Sequence, residues 1–478
     1  MAGCGKTILS STIIQDLEKT VNLSVEEVQP LSVRENGSAG QKRVRDHDEE
    51  KAPKKKVKSR EYACDGEALC ELKDIHPRSD SQSWPKDPIY FYFDFNDTSK
   101  QSLENAIRSL VCQLYCKARG VQRELDALYE SCQKGYSQPS METLCTTLQS
   151  MIRQAGEVWI VLDALDECPN RTQKSNEGLL SWLERLMASQ QTNVHLLVTS
   201  RPEHDIESAI GKWARKQDTI PIQGQLVTDD IRSYVHTWIK QLTRWESKRE
   251  IQDEIETTLV EKADGMFRWV SCQLDALENC LDYPSLRKAL QSLPSTLDET
   301  YVRILKNIPH EYKHHAQRLL QILAFSERPL EIDEAVDALA VDVEKKPHFE
   351  PKNRMPVPDE ISKCCSSLVV VVTIQSNPRR LARKEIQLAH FSVKEYLISD
   401  RVDRTLLDRF SEDNARSSIA KVCLAYLDAL DQVLPPGEIA RRFPFAKYCA
   451  RYWMKHARAG EQDDNLRSMA GSQHQRSW

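Results

Sequence analysis

Three short apolar runs in the first half of the chain predict the strands of a parallel sheet. They are Ile89–Asp97, Val158–Cys168 and Val194–Pro202, and their apolar character on both faces is typical of strands covered by helices on both sides. A fourth run, Asp218–Ile222, is predicted as a further short strand. Between the runs, apolar residues recur at i, i+3, i+4 and i+7, most clearly over Leu103–Leu114. The same spacing predicts helices over Thr7–Thr20, Met141–Gln154 and Gly178–Ala188.

After about Gly224 the apolar pattern is almost entirely helical, which predicts a second, helical part of the chain. Between Glu327 and Gln387 the pattern becomes one helix, a proline-rich loop and two strand-like runs, Ser367–Thr373 and Glu385–Ala389. A helix, a loop, two strands and a further helix are typical of a winged-helix module. The last ~70 residues return to helical spacing and end in a polar tail.

Composition and charge narrow the class of protein. The 478 residues carry 66 Lys and Arg against 71 Asp and Glu, and the net charge of −5 gives no overall attraction to nucleic acid or to an anionic membrane. No apolar run approaches the ~18 residues that a membrane span needs. The 14 cysteines show no metal-binding spacing and are expected to be reduced thiols. We therefore expect a cytoplasmic protein without a membrane or nucleic-acid partner.

The segment Val21–Pro88 interrupts the pattern. It is polar and weakly periodic, and its part Gln41–Arg60 carries nine Lys or Arg against four Asp or Glu. Such a segment cannot bury enough apolar surface to offset the entropy cost of ordering, so a disordered basic insertion is predicted. Two interpretations of the basic run stay open: a solvated charge run, or a nuclear localisation signal formed by Lys42-Arg43 and Pro53–Lys58.

The first candidate for chemistry is Gly3-Cys4-Gly5-Lys6-Thr7, directly before a predicted helix. In a phosphate-binding loop, backbone N–H groups of a glycine-rich turn and the following helix N-terminus cradle the phosphates. The Lys reaches the β- and γ-phosphates, and the Thr binds Mg²⁺. The first glycine of the motif would stand one place before Met1, and a glycine, lysine and threonine in a row are common by chance. A phosphate site and a glycine-rich start without a ligand both stay open.

Acidic residues follow the second apolar run. Asp163 stands at the carboxyl end of the strand, where a carboxylate can hold the Mg²⁺ of a phosphate-binding loop through water. Asp166 and Glu167 come next, where one of them could orient or deprotonate an attacking water. The alternative is a strand followed by a solvated acidic turn.

Two further candidates are basic. Arg201, with Thr199 and Ser200 before it, follows the third run and could sense a γ-phosphate, or could simply begin the next helix. His390 stands at a predicted strand–helix junction, where a histidine is either structural or a ligand contact.

Five stretches together resemble one family. They are "AGCGKTILSSTII", "YFYFDFND", "VWIVLDALDEC", "HLLVTSRPEHDI" and "LAHFSVKEYL". They resemble the NACHT-type STAND ATPases of filamentous fungi, which often carry ankyrin repeats. The first four look like the nephrocystin-3-like NACHT module, and the last looks like the winged-helix region that follows it. The resemblance covers about Met1–Thr20 and Ile89–Arg458.

The resemblance implies a role for each matching residue. Gly3, Gly5 and Lys6 would bind the phosphates of ATP or ADP, and Thr7 with Asp163 would bind Mg²⁺. Ala164 fills the small-residue position before the acidic pair Asp166-Glu167, Arg201 matches the sensor arginine, and His390 matches the winged-helix histidine that touches the ADP β-phosphate in related receptors.

The sequence departs from the family pattern in two places. The hydrophobic strand and the glycine that precede "AGCGKT" in the family are not found before Met1, so we expect a truncated copy. Lys6 and Asp163 are also 157 residues apart, and removing the 68 residues of Val21–Pro88 leaves 89, which suits a compact core better. The segment is either a tolerated surface insertion or a gene-model artefact.

The predicted fold is an α/β P-loop NTPase sheet with helices on both faces, followed by a helical domain and a winged helix. The predicted units are a nucleotide-binding core over 1–20 and 89–224, a disordered insertion over 21–88, a helical domain over 225–310, a winged helix over 311–400, C-terminal helices over 401–460 and a disordered tail over 461–478.

Three functions follow from these patterns. The leading one is an ATP/ADP-dependent signalling switch with slow hydrolysis, which self-associates through its NACHT core in non-self recognition or regulated cell death. Effector and repeat regions would then be supplied in trans. The alternatives are a non-enzymatic scaffold that has lost nucleotide binding, and a nuclear winged-helix factor.

Overall fold

The computed structural model describes residues 10–16, 88–118, 120–172, 178–188, 193–222, 225–245, 247–374, 382–402, 404–430, 434–459 and 466. The predicted phosphate-binding residues Gly3, Gly5, Lys6 and Thr7 lie outside the described residues. So do the predicted insertion, apart from Pro88, and the predicted tail, apart from Leu466.

The first unit is built on three parallel strands. β1 (Ile89–Tyr92), β2 (Val158–Asp163) and β3 (Val194–Val198) stand in the order β1-β2-β3, so β2 is hydrogen-bonded on both sides. The register pairs Tyr92 with Asp163 and Leu162 with Val198, which brings the three carboxyl ends to one edge of the sheet. This confirms the three predicted core strands.

Helices flank this sheet, and those after residue 102 share one apolar core with it. They are α1, whose described part is residues 10–16, α2 (Leu103–Lys117), α3 (Gln122–Ser131), α4 (Met141–Gln154), α5 (Leu179–Ala188) and α6 (His204–Ile210). The periodic residues of α2 are buried as predicted, and the hydroxyl of Ser102 caps its first turn by accepting from the Asn105 backbone N–H. The architecture is an α/β fold built on a parallel sheet, which fits the predicted P-loop NTPase fold.

One predicted strand was wrong. Asp218 ends a single 3-10 turn, Lys216–Asp218, and Thr219–Ile222 form no regular element. Pro221 removes a backbone donor from the centre of this short run, so it cannot complete a strand ladder. Arg215 favours the turn, because its guanidinium lies 2.9 Å from the carboxylate of Asp218.

A helical unit follows, with an apolar core of its own. It consists of α7 (Gln225–Ile239), α8 (Arg249–Lys262), α9 (Phe267–Glu278), α10 (Tyr283–Gln291) and α11 (Leu297–Asn307). The long apolar pattern across α8 and α9 is divided at Asp264 and Gly265, whose φ values of +45° and +71° end α8. Such φ values explain a glycine at this point.

The next unit is a winged helix. It contains α12 (Lys313–Phe325), β4 (Leu330–Glu331), α13 (Ile332–Ala340), β5 (Val369–Ile374), β6 (Arg383–Leu388) and α14 (Phe391–Leu397). The sheet is antiparallel in the order β4-β6-β5, and Ile386 faces Leu330 on one side and Val371 on the other. The two strands predicted after the proline-rich loop are confirmed within one or two residues at their ends.

Four helices complete the described chain and share the winged-helix core. They are α15 (Arg404–Phe410), α16 (Glu412–Asp428), α17 (Pro436–Arg442) and α18 (Ala446–Ala459), with α16 packed along α18. In the described part of the chain, no helix is both long enough and apolar enough to cross a bilayer.

Candidate functional site

The candidate site lies at the carboxyl edge of the parallel sheet, around Asp163. This side chain is 1% exposed, and its Oδ1 accepts hydrogen bonds from Ser10 Oγ and Thr199 Oγ1, both at 2.6 Å. Ser10 belongs to α1 and Thr199 follows β3, so the carboxylate ties together three segments that are distant in the sequence. A buried carboxylate needs such donors because burial removes its hydrogen bonds to water.

The residue after Asp163 has a left-handed backbone conformation. Ala164 has φ +57° and ψ +53°, and its N–H donates to Thr199 Oγ1 at 2.9 Å. The next N–H, of Leu165, donates to the Thr199 carbonyl at 3.0 Å. The reversal begins the 3-10 turn Leu165–Glu167 and points the acidic pair back toward the sheet edge. A small side chain suits Ala164, because left-handed backbone disfavours larger or branched ones.

The carboxylate of Asp166 pairs with an arginine. Its Oδ1 accepts from the Arg201 backbone N–H at 2.9 Å, and its Oδ2 accepts from Arg201 Nε at 2.7 Å. The Asp166 side chain is only 2% exposed. In this arrangement both oxygens of Asp166 accept bonds from Arg201, so the carboxylate fixes Arg201 in place.

The Glu167 side chain binds a different segment from the one that Asp166 binds. Its Oε2 accepts from the Phe95 backbone N–H at 3.0 Å, which fixes the loop after β1. The two neighbouring acids therefore organise different segments of the sheet edge.

Arg201 also contacts two further carboxylates. Its Nη1 lies 2.9 Å from Glu395 Oε2 in α14, and its Nη2 lies 3.0 Å from Glu203 Oε1. Burial disfavours the charged guanidinium, but its hydrogen bonds and charge pairing with Asp166 and Glu395 outweigh this and raise the pKa of Arg201. One cation thus joins the parallel sheet to the winged helix.

A second arginine supports the first. Arg171 donates from Nε to Asp205 at 2.7 Å and from Nη1 to the Asp166 carbonyl at 2.9 Å, and it also pairs with Glu203. Burial opposes the charge of Arg171, and the bonds to Asp205 and Glu203 raise its pKa overall.

The winged helix reaches the site through α14. The Phe391 ring packs edge-on against Phe95 with centroids 5.2 Å apart, and the Arg201 guanidinium lies 4.8 Å from the Phe391 ring centroid. Lys394 donates to the Phe95 carbonyl at 3.1 Å, and burial, with the charge of Arg416, lowers the pKa of Lys394. Apolar, charged and backbone contacts therefore all join α14 to the sheet edge.

His390 caps the same helix. Its Nδ1 accepts from the Ser392 backbone N–H at 3.1 Å and lies 2.8 Å from Ser392 Oγ. The structure thus gives His390 a structural role at the start of α14, directly before Phe391, whose ring contacts Arg201.

Comparisons with known proteins cover both parts of the chain. The family model "Nephrocystin 3, N-terminal" matches residues 73–201, and "GPI inositol-deacylase, winged helix domain" matches residues 305–407. "Azaphilone pigments biosynthesis cluster protein L" of Monascus ruber is 37% identical over 173 residues, which cover 35% of this chain and 36% of that protein. "Vegetative incompatibility protein HET-E-1" of Podospora anserina is 24% identical over 271 residues, which cover 55% of this chain and 18% of that protein.

The chain is similar to NACHT-type proteins of fungi in both matched regions. It spans about a third of the length of the first relative and less than a fifth of the second. A solved Aeropyrum pernix ORC1 protein in complex with DNA aligns with 68% of this chain and 86% of its own, at 12% identity. Its TM-score of 0.20 is too low to support an argument.

The residue types of this sheet edge fit a magnesium ion held together with phosphates. In the described part of the chain, no group of three or more His, Cys, Asp or Glu side chains could hold a metal ion alone. Mg²⁺ is commonly bound by one or two carboxylates plus substrate phosphates, and hard oxygen ligands suit it. Asp163, with Ser10 and Thr199 beside it, offers such oxygens.

Several residues of this site were not predicted from the sequence. Ser10 and Arg171 carry no motif of their own, because a serine in a helix and an arginine in a loop are common. Glu395 and Lys394 stand in the "SVKEYL" stretch that resembles the family, yet only the histidine before it was singled out. Thr199 is a predicted γ-phosphate contact, and in the structure its hydroxyl donates a hydrogen bond to Asp163.

Proposed function

We propose that this protein is an ATP/ADP-binding signalling switch of the STAND class, with slow hydrolysis, acting in fungal non-self recognition or programmed cell death. The observation that carries the proposal is the position of Arg201, between Asp166 of the sheet edge and Glu395 of the winged helix. The Podospora anserina relative is named as a vegetative incompatibility protein, which supports the proposed biological setting.

The proposed nucleotide contacts follow the motif chemistry. Gly3 and Gly5 would offer backbone N–H groups to the phosphates, and Lys6 would pair with the β- and γ-phosphates. Thr7 and Asp163 would hold Mg²⁺, which supplies charge neutralisation of the phosphate oxygens when bound. The bond from Ser10 to Asp163 supports this assignment, because Ser10 stands three residues after Thr7 in the sequence.

Arg201 gives the switch its two states. A guanidinium prefers a planar, bidentate anionic partner, and a γ-phosphate offers the same chemistry as a carboxylate. With ADP, Arg201 keeps Glu395 and α14 stays against the sheet edge. With ATP, the γ-phosphate competes with Glu395 for Arg201, which releases the winged helix and frees the NACHT core to self-associate. In this reading Glu167 orients the attacking water, Asp166 positions Arg201, and His390 reports on the β-phosphate.

We place the switch in the cytoplasm, with effector and repeat regions supplied in trans. Import through Lys42-Arg43 and Pro53–Lys58 is the alternative, and a reporter fused to residues 41–60 would separate the two locations.

Nucleotide content of the purified chain tests the proposal. We expect bound ADP or ATP in the natural sequence, and a loss of affinity on the order of 100-fold in Lys6→Ala, because a charge-assisted phosphate contact is removed. Asp163→Asn should weaken binding only when Mg²⁺ is present. Lys212→Ala, at an exposed position on the surface, is the matched control. A folded chain that binds no nucleotide would overturn the switch and favour the scaffold alternative.

A further inference from the structure

The last helix, α18, presents a face of basic residues to solvent. Lys447, Arg451, Lys455 and Arg458 are exposed and stand at i, i+4, i+8 and i+11, which places them within one face of the helix. Their opposite face, with Tyr448 and Cys449, is buried in the core. Among the residues from 439 to 459 there are six Lys or Arg and no Asp or Glu.

Three of these four cations are available for an external partner. Lys455 pairs with the buried carboxylate of Glu327. Among the described residues, no carboxylate lies within ion-pair distance of Lys447, Arg451 or Arg458. We call Lys447, Arg451 and Arg458 the basic stripe. Its members stand at i, i+4 and i+11, and the rise of 1.5 Å per residue spreads them over about 16 Å.

Helix α8 carries the complementary pattern. Glu250, Glu254 and Glu261 stand at i, i+4 and i+11, the same spacing as the basic stripe. Glu250 and Glu261 are exposed, and the half-buried Glu254 accepts from the Tyr283 hydroxyl at 2.9 Å. We call these three residues the acidic stripe. The exposed Asp253 adds a fourth carboxylate to the same face of the helix.

We propose that the basic stripe of one copy of this chain docks on the acidic stripe of a second copy, with α18 and α8 parallel. In this orientation Lys447 faces Glu250, Arg451 faces Glu254 and Arg458 faces Glu261. An antiparallel arrangement would put Arg451 opposite Thr257, so the spacing itself selects the parallel one. The two stripes are different surfaces of each copy, so the contact is head-to-tail and builds rings or filaments.

Charge and apolar content favour a second copy over other anionic partners. The whole chain has a net charge of −5, which opposes nucleic acid beyond the stripe itself. A helix lying in a membrane interface needs an apolar exposed face, and Met454, 53% exposed, is the one large apolar side chain exposed on the described part of α18. The surface formed by the two stripes is small. The charge pairs therefore decide which residues of α18 and α8 face each other, and salt weakens the contact.

Charge reversal tests the proposal on the full chain. Sedimentation velocity at low salt should show concentration-dependent association of the natural sequence. Lys447→Glu, Arg451→Glu and Arg458→Glu together should weaken it by at least about tenfold, and Glu250→Arg, Glu254→Arg and Glu261→Arg together should do the same. A mixture of the two triple variants restores both complementary contacts and should associate as the natural sequence does. Arg123→Glu, an exposed change on α3, is the control.

Each contrary result has a distinct meaning. A natural sequence that stays monomeric at low salt, or a mixture that fails to recover, overturns the proposal. A further contrary result is a triple variant of the basic stripe that self-associates unchanged and loses binding to a DNA duplex or to anionic phospholipid vesicles. That result would assign the basic stripe to that partner. The association requires no bound nucleotide, so its failure leaves the proposed switch untouched, and Lys6→Ala should not affect it.

Discussion

Single residues decide how the sheet edge is built. Ala164 reverses the chain in a left-handed conformation, and Thr199 fixes that reversal from both its hydroxyl and its carbonyl. The acids were predictable from the sequence, because an acidic cluster after a buried strand is a local pattern. Their partners were not: Arg201 and Glu395 are 194 positions apart, and Ser10 and Asp163 are 153 apart. A single sequence does not report such long-range pairs.

A buried histidine makes stability depend on pH. His456 in α18 is 0% exposed, its Nε2 lies 3.0 Å from the Tyr448 hydroxyl, and burial with the charge of Arg416 lowers its pKa to about 4. The unfolded chain takes up the proton near pH 6.5, whereas the folded chain stays neutral until about pH 4. Stability is therefore full above pH 6.5 and falls as the pH drops toward 4.

We expect His456 to contribute a loss on the order of 3 kcal/mol in unfolding free energy across this window. His456→Gln keeps a polar partner for Tyr448 but cannot titrate, so its unfolding free energy should vary less between pH 6.5 and 4. Denaturant unfolding at a series of pH values measures this. The exposed His310→Gln serves as control. Equal pH slopes for all three chains would contradict the expectation.

Elements were predicted best where the apolar spacing was regular. α2 and α4 were confirmed over nearly their full lengths, because each buries one continuous apolar face. β1 is shorter than its apolar run: it ends at Tyr92, and Phe95 beyond it packs against Phe391 of the winged helix. α3 was missed, since Leu128 is the one described side chain of that helix that is fully buried and its pattern is weak.

The contact between α14 and the sheet edge can be tested with one substitution. Glu395→Gln removes the charge that pairs with Arg201 and keeps the side-chain shape. We expect faster amide hydrogen exchange across Phe391–Leu397, by roughly five- to tenfold, because a part-buried charged hydrogen bond is weakened. Exchange in β2 should not change. Glu360→Gln, at an exposed ion pair with Lys363, is the control. Unchanged exchange in α14 would show that the Phe391 packing alone holds it.

At the scale of the whole molecule, Glu327 joins several units. Its buried carboxylate pairs with Arg416 of α16 at 3.0 Å and with Lys455 of α18. Its backbone N–H donates to the Tyr448 hydroxyl at 3.2 Å, and its carbonyl accepts from Thr98 of the parallel-sheet unit at 2.7 Å. Burial opposes the charge of Glu327, but the hydrogen bonds from Lys455 and Arg416 lower its pKa.

Glu327→Gln should destabilise the fold by about 3 kcal/mol, because it leaves Arg416 and Lys455 without the charge that compensates them. Thermal unfolding would report this as a lower midpoint. Glu412→Gln removes the other carboxylate that pairs with Arg416. The Glu412 side chain is 63% exposed, so this change should lower the midpoint far less. Similar midpoints for both variants would mean that Glu327 is solvated and has no joining role.

The bond between Thr98 and Glu327 also bears on how the chain can be divided in the laboratory. The sequence pattern suggests cutting near residue 224, which would separate Phe95, Thr98 and Arg201 from their partners in the winged helix. The shortened protein would expose an aromatic ring and a guanidinium that has lost one of its carboxylates, and newly exposed apolar surface promotes aggregation. Poor solubility of such a fragment would therefore reflect the missing winged helix, and co-expression with residues 305–407 should recover it.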